Sequence, residues 1–320
     1  MIFSRNIFDY LFILSLSFII AFISWDDLRK NTSIDRNNYY NYFSYGVDRF
    51  TYIDLNGFMD YIKHEWFWDF SIRYLTNFLD LNLIFSLITF LSFFIYSCFV
   101  YKKTNILYVL FLLNPLILDL IYSQLRISLA STFFLISIIV FNRSVLFSLF
   151  FILLSVLTHT AMFPISLIYI YLVYICKMDI DIRIKIFIAI ICGFAFSFVL
   201  GPLINIILSF IGDRREGYDL SSLSSTYLYL SFWFLLIFFV IIQAKNKFFL
   251  LRVNKSIVLF ALSILAFIFM NFFVGGYSTR VIAISMPFLI ILIYNFSYYY
   301  KIYISFFYFL YLLFYFYIWW

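Results

Sequence analysis

The chain has 320 residues, 65% of them hydrophobic and 12% charged, with a formal net charge of +6. Soluble globular chains carry about 45–50% apolar and about 25% charged residues, so these side chains cannot cover a water-facing surface. A soluble enzyme is thereby excluded, and no nucleic-acid partner is expected. In lipid every backbone polar group must be satisfied within the protein, which leaves helix bundles and closed barrels. The apolar runs are long and continuous rather than alternating, which selects helices. The expected fold is all-α, a single integral membrane domain over residues 1–320.

A crossing helix needs roughly 20 apolar residues, and the sequence supplies about eleven such runs. The first, 7–24, follows Arg5 and has no small-x-small cleavage site before Trp25, so it reads as a retained helix rather than a leader. A long loop, 25–82, comes next and holds most of the acidic residues. Within it, 55–79 reads as an interfacial amphipathic segment with Phe58, Tyr61, Trp66, Phe70 and Tyr74 on its apolar face. Further spans are expected at 83–101, 105–122, 125–141, 144–158, 161–176, 184–208 (broken at Gly201-Pro202), 227–244, 256–274, 281–299 and 302–320. Polar segments at 212–225 and 275–280 separate the later ones. With the loops numbered alternately, one side collects Lys102, Lys103, Arg143, Lys177, Arg183, Lys185, Lys245, Lys247, Arg252, Lys255 and Lys301 with few acids. The positive-inside rule then gives N-in, C-out.

Cys98, Cys176 and Cys192 all lie in apolar runs, so neither a disulfide framework nor a zinc site is implied. The 47 Phe and 28 Tyr match codon drift in an AT-rich genome, and no aromatic stripe is read as a binding platform. Metal-binding motifs, a Walker loop and a dinucleotide fingerprint are all lacking, so no cofactor is expected.

Basic residues at the outer ends of helices run against the orientation rule and need a reason. Arg126 opens the fourth span, two residues after Gln124 and seven after Asp119. An Arg at helix-centre depth costs about 2.5–3.5 kcal/mol, less near the interface. It reads either as a snorkelling residue paired with Asp119 or as a cationic donor for an anionic lipid headgroup, a role that suits the planar guanidinium fork. Arg280 repeats the theme beside Gly275-Gly276, which permit close approach of a ligand. Arg214 and Arg215 lie in the 212–225 loop, where a solvated charge run competes with a binding role. Arg36 sits in the polar cluster 34–40 with Asp35 and Tyr40. Of the two histidines, His64 reads as surface, while His159 closes the fifth span. It is either a capped helix-end residue or a base and anion donor at the outer boundary. A substrate that is anionic and lipid-borne, handled on the outer side, fits this distribution.

The stretch Tyr122-Ser-Gln124-Leu-Arg126-Ile-Ser128-Leu-Ala130, then about thirty mostly apolar residues, then Leu157-Thr-His159-Thr160-Ala-Met-Phe-Pro164, resembles the EpsG-like branch of the Wzy-type polysaccharide polymerases. The cluster 35–40 and Arg280 extend the resemblance over most of the chain. A large late outer loop, which many O-antigen polymerases have, is lacking here. The resemblance implies a metal-independent glycosyltransferase of the bacterial inner membrane, acting on undecaprenyl-pyrophosphate-linked repeat units at the outer face. The product would be O-antigen, capsule or exopolysaccharide. It implies Arg126 and Arg280 as pyrophosphate contacts with Arg36 as a third, His159 as the group activating the sugar hydroxyl or donating to phosphate, and Asp35 as the alternative base. Gln124, Arg36, Tyr40, Arg214, Arg215 and Tyr277 would bind substrate. Membrane lipids, a chain-length regulator and a flippase are the implied partners. A lipid-linked oligosaccharide flippase, a glycan ligase, an acyltransferase and a non-catalytic membrane subunit stay open as alternatives. No two-fold repeat of the kind common in transporters is visible.

Overall fold

A computed structural model describes residues 7–30, 33–45, 57–211, 227–244, 255–274 and 278–319. Among these residues every regular element is a helix. Four helices are long and apolar enough to cross a membrane: Leu81–Lys103, Ile182–Leu200, Lys255–Val274 and Tyr298–Ile318. A bent pair, Pro115–Tyr122 with Leu125–Val140, makes a fifth when taken as one span. These helices suit a multi-pass membrane protein. The chain divides into two compact units, Met1–Ser166 with Phe316–Trp320, and Leu167–Tyr315.

The first unit is built on α1 (Ile7–Phe22), α6 (Leu81–Lys103), α9 (Leu125–Val140) and α10 (Val145–Thr158). Between α1 and α6 lie α2 (Trp25–Leu28), α3 (Ile34–Ser44), α4 (Phe58–Lys63) and α5 (Trp66–Thr76). Between α6 and α9 lie α7 (Ile106–Val109), a 3-10 turn and α8 (Pro115–Tyr122). Polar starts fix the helix ends. Asp80 accepts from the Asn82 N–H at 2.9 Å, and Ser144 from that of Phe147 at 3.4 Å. Helix α1 runs antiparallel to α6, with the Tyr101 hydroxyl donating to Asp9 at 2.6 Å. Helices α6 and α9 run parallel, since the first turns of both share one buried cluster, and Tyr96 bonds Ser131 (2.7 Å) and Thr132 bonds Ser92 (3.0 Å) across them. Ser155 of α10 donates to the Ala130 carbonyl of α9 at 2.6 Å.

At the N-terminal ends of α6 and α9, a buried cluster joins Phe43 of α3, Trp68 and Ile72 of α5, Leu81, Ile84, Phe85 and Ile88 of α6, and Leu125 and Leu129 of α9. Fully burying side chains of this size stabilises by about 1.5–3 kcal/mol each. A polar triangle also ties α3 to α5. Tyr42 donates to Asp69 (3.2 Å), while Arg73 donates to Asp69 (3.1 Å) and to the Tyr42 oxygen (3.1 Å).

One expectation is corrected by this unit. Residues 105–122 do not form one helix. Asn105 caps α7, and Asn114 accepts from the Leu116 N–H at 2.9 Å with Pro115 in the first helical turn, so a new helix must start there. Within the expected amphipathic segment 55–79 the chain forms two helices: α4 ends at Lys63, α5 begins at Trp66, and Glu65 between them is left-handed. Trp68, Asp69 and Ile72 face inward, while Phe70, Tyr74 and Phe78 are exposed. Trp66 and Phe70 stack at 4.8 Å.

The second unit holds most of α11 (Met162–Lys177), and α12 (Ile182–Leu200), α13 (Ile204–Ile211), α14 (Tyr227–Ala244), α15 (Lys255–Val274), α16 (Ser278–Tyr294) and most of α17 (Tyr298–Trp319). The expected break at Gly201-Pro202 separates α12 from α13. Helices α12 and α15 pack closely at Gly193. A Cβ there would lie 2.1 Å from the Ser263 carbonyl oxygen, so only glycine fits. Helix α16 is buried through most of its length, and Phe260 and Phe288 meet at 4.7 Å. Lys185 is buried at the start of α12 and donates to the carbonyls of Cys176 (3.0 Å) and Met178 (2.7 Å), which close the end of α11.

Candidate functional site

The break between α8 and α9 creates the site. The two helix axes bend by 103° across Ser123-Gln124. Asp119 and Arg126 therefore lie on different helices, and their spacing of seven does not stack them as two turns of one helix would. The Asp119–Arg126 pair, one of the two readings of Arg126 from sequence, does not form. Asp119 accepts instead from Arg29 Nη1 at 2.9 Å and from Gln124 Nε2 at 2.9 Å.

Arg126 turns to a residue the sequence reading passed over. Its Nη1 lies 2.6 Å from Oε2 of Glu65, and its guanidinium sits over the Tyr39 ring, 5.7 Å from the centroid. The other carboxylate oxygen of Glu65, Oε1, is in hydrogen-bond contact with His159 Nδ1, and the backbone N–H and hydroxyl of Thr160 approach it at 3.4 Å. The Glu65 side chain is only 4% exposed. One buried carboxylate thus joins Arg126 and His159, two of the residues singled out from sequence.

Each member is held by its own element. Arg126 stands in the first turn of α9, anchored by Leu125 and Leu129 in the buried cluster. His159 is the C-terminal cap of α10, with extended backbone (φ −153°, ψ 119°) and its N–H bonded to the Ser155 carbonyl at 3.0 Å. Its own carbonyl accepts from Met162 N at 3.0 Å, opening α11. Glu65 is the only non-glycine residue with positive φ among the described residues (φ 54°, ψ 44°). Such a conformation costs an L-residue about 1–2 kcal/mol, and the side chain makes no cap bond to its own helix. It reaches across to α9 and α10 instead.

Beside this centre lies a second cationic group. Arg36 of α3 is 9% exposed. Its Nη1 donates to the Tyr122 carbonyl at 3.1 Å, and its guanidinium stacks 4.3 Å from the Tyr122 ring centroid and 5.3 Å from that of Phe85. Burial pulls its pKa below the ordinary arginine value, with Tyr122 and Asp26 partly offsetting the shift. Asp26 in turn accepts from the N–H and the hydroxyl of Ser33, both at 2.7 Å, tying the segment before α3 to α2.

The remaining expected residues fall elsewhere. Asp35 is half-buried in the first turn of α3, and Tyr40 of the same helix is exposed. Gln124 donates its amide nitrogen to Asp119. Arg280 is half-buried in the first turn of α16, in the second unit. Arg214, Arg215 and Tyr277 lie outside the described residues. Among the described residues no group of three or more His, Cys, Asp or Glu side chains could hold a metal ion. The site offers a fixed guanidinium, a carboxylate-bound imidazole and a neighbouring buried guanidinium. That set suits binding a phosphate group and moving one proton.

Glu65 carries little local signal. It sits 94 residues from His159 in sequence, inside a segment whose aromatic spacing reads as a lipid-facing surface. The available hint was energetic: a half-buried Arg126 requires a counter-charge, and Asp119 was the nearest in sequence. Scans of protein-family models, of curated proteins and of solved structures find no match to this chain.

Proposed function

We propose that the chain is a Wzy-type polysaccharide polymerase of a bacterial inner membrane, crossing it about eleven times in an N-in, C-out orientation. It joins undecaprenyl-pyrophosphate-linked repeat units at the outer face. The observation that carries this reading is the meeting of Arg126 and His159 on Glu65. Support for the orientation comes from the two ends of α6. Asp9 and Tyr101 meet near the end that leads into Lys102-Lys103, while the site lies at the opposite end.

In the proposed reaction a hydroxyl of the incoming unit attacks the anomeric carbon of the growing glycan. The new glycosidic C–O bond forms as the anomeric carbon–phosphate oxygen bond breaks, and its electron pair leaves on undecaprenyl pyrophosphate. The hydroxyl proton passes to His159 Nε2. Diphosphate is already a good leaving group, so the protein contributes positioning and charge stabilisation. Arg126 meets the developing negative charge, and Arg36 supplies a second cation beside it. The steps proposed here use residues of the first unit alone.

Deletion of the gene should remove every band of surface polysaccharide above one repeat in gel electrophoresis, and the wild-type chain should restore them. Arg126→Ala should fail to restore them while single-repeat glycan is still made and exported. A normal ladder in either strain overturns the reading.

A further inference from the structure

We infer that Glu65 is the positioning residue of this site: it fixes which nitrogen of His159 carries the proton and holds Arg126 in place at the same time. Three observations support this. The carboxylate is buried. One of its oxygens faces Arg126 of α9, and the other faces His159 at the end of α10, with Thr160 beside it. And the residue keeps a left-handed backbone that glycine or asparagine would adopt at less cost. Unfavourable backbone persists where the surroundings over-determine it, and it clusters at functional sites.

The chemistry follows from the donor inventory. An ionised carboxylate only accepts hydrogen bonds, and a guanidinium only donates. With Glu65 facing Nδ1, the neutral ring must carry its proton there. Nε2 then holds the lone pair, which is the nitrogen assigned above to receive the hydroxyl proton; that assignment rests on the polymerase reading, whereas the tautomer does not. Glu65→Gln keeps the shape and reverses the logic. Arg126 still demands an oxygen, so the amide oxygen turns to it, and the amide NH2 turns to His159. Nδ1 must then accept, and the ring proton moves to Nε2. A near-isosteric change thus blocks the base without emptying the site.

The test uses the full chain in lipid nanodiscs with 15N-labelled histidine. His64→Gln leaves His159 as the one labelled ring, and spectra are taken at a pH where that ring is neutral. The parent should show a protonated Nδ1, and Glu65→Gln should show the inverted pattern. Glu65→Asn serves if the glutamine variant fails to fold. Asparagine suits the left-handed backbone but is too short to reach both partners, so it should give a mixture of tautomers. A protonated Nδ1 that is unchanged in whichever variant folds overturns the inference. In a reconstituted elongation assay, Glu65→Gln should lower kcat by about 100-fold or more with a much smaller change in KM. A KM effect alone would overturn the positioning role. If the tautomer inverts and elongation is unchanged, Glu65 keeps its role and the base assigned to His159 is wrong.

Discussion

Arg36 shows how a single side chain carries both cost and purpose. Its guanidinium is stacked and bonded to one carbonyl, and burial lowers its pKa. Arginine stays protonated over the working range because its ordinary value is so high. Lysine in its place would not. Arg36→Lys puts an amine with an ordinary pKa of about 10.4 into the same desolvating site, so its folded value falls below its unfolded one. Between those values the unfolded chain binds more protons than the folded chain, and stability rises with pH. The variant should therefore melt lowest near neutrality and recover towards pH 10, a trend the parent lacks; thermal unfolding across that range measures it. Arg126→Ala should cost about 3 kcal/mol, because it strands a buried carboxylate, and the double change Arg126→Met with Glu65→Gln should recover much of that loss. If the single and double variants unfold alike, the pair has little structural weight. Arg126 and His159 were legible in sequence because a cation and an imidazole at helix ends are conspicuous against an apolar background. Glu65 was not, because its role depends on a contact between distant segments and on a backbone angle that no spacing encodes.

Helices were far easier to read than their breaks. Long apolar runs between polar caps located α6, α9, α10, α12 and α15 to within a few residues, since lipid-compatible side chains and a satisfied backbone leave few other options. Residues 105–122 misled because composition was uniform while Asn114-Pro115 decided the geometry. Asn114 is fully buried and caps α8, so Asn114→Ala should lose about 1 kcal/mol and, by loosening α8, should also reduce elongation in the same assay. Between α12 and α15 the decisive position is Gly193. Gly193→Ala drives a methyl into the Ser263 carbonyl and should destabilise by about 1–3 kcal/mol, lowering the temperature at which the detergent-solubilised protein aggregates. An unchanged temperature would mean that the two helices part at little cost.

For the molecule as a whole, composition alone excluded a soluble protein, and the four to five helices fit to cross a membrane among the described residues agree with that exclusion. The sidedness is open to direct labelling. In a background without native cysteines, Asn77→Cys should react with an impermeant maleimide on intact cells, whereas Asn142→Cys should react only after the membrane is opened. Both positions are exposed, so equal labelling of the two would contradict the proposed orientation. The left-handed residue between α4 and α5 also has a consequence for directed evolution. A campaign rewarding only heat resistance would drift towards glycine or asparagine at position 65 with an aliphatic partner at 126, since a packed apolar pair is often as stable as a buried ionic one. Its winners would be sturdier and inert, and that divergence of survival from turnover would mark the spot where this scaffold gives up robustness for chemistry.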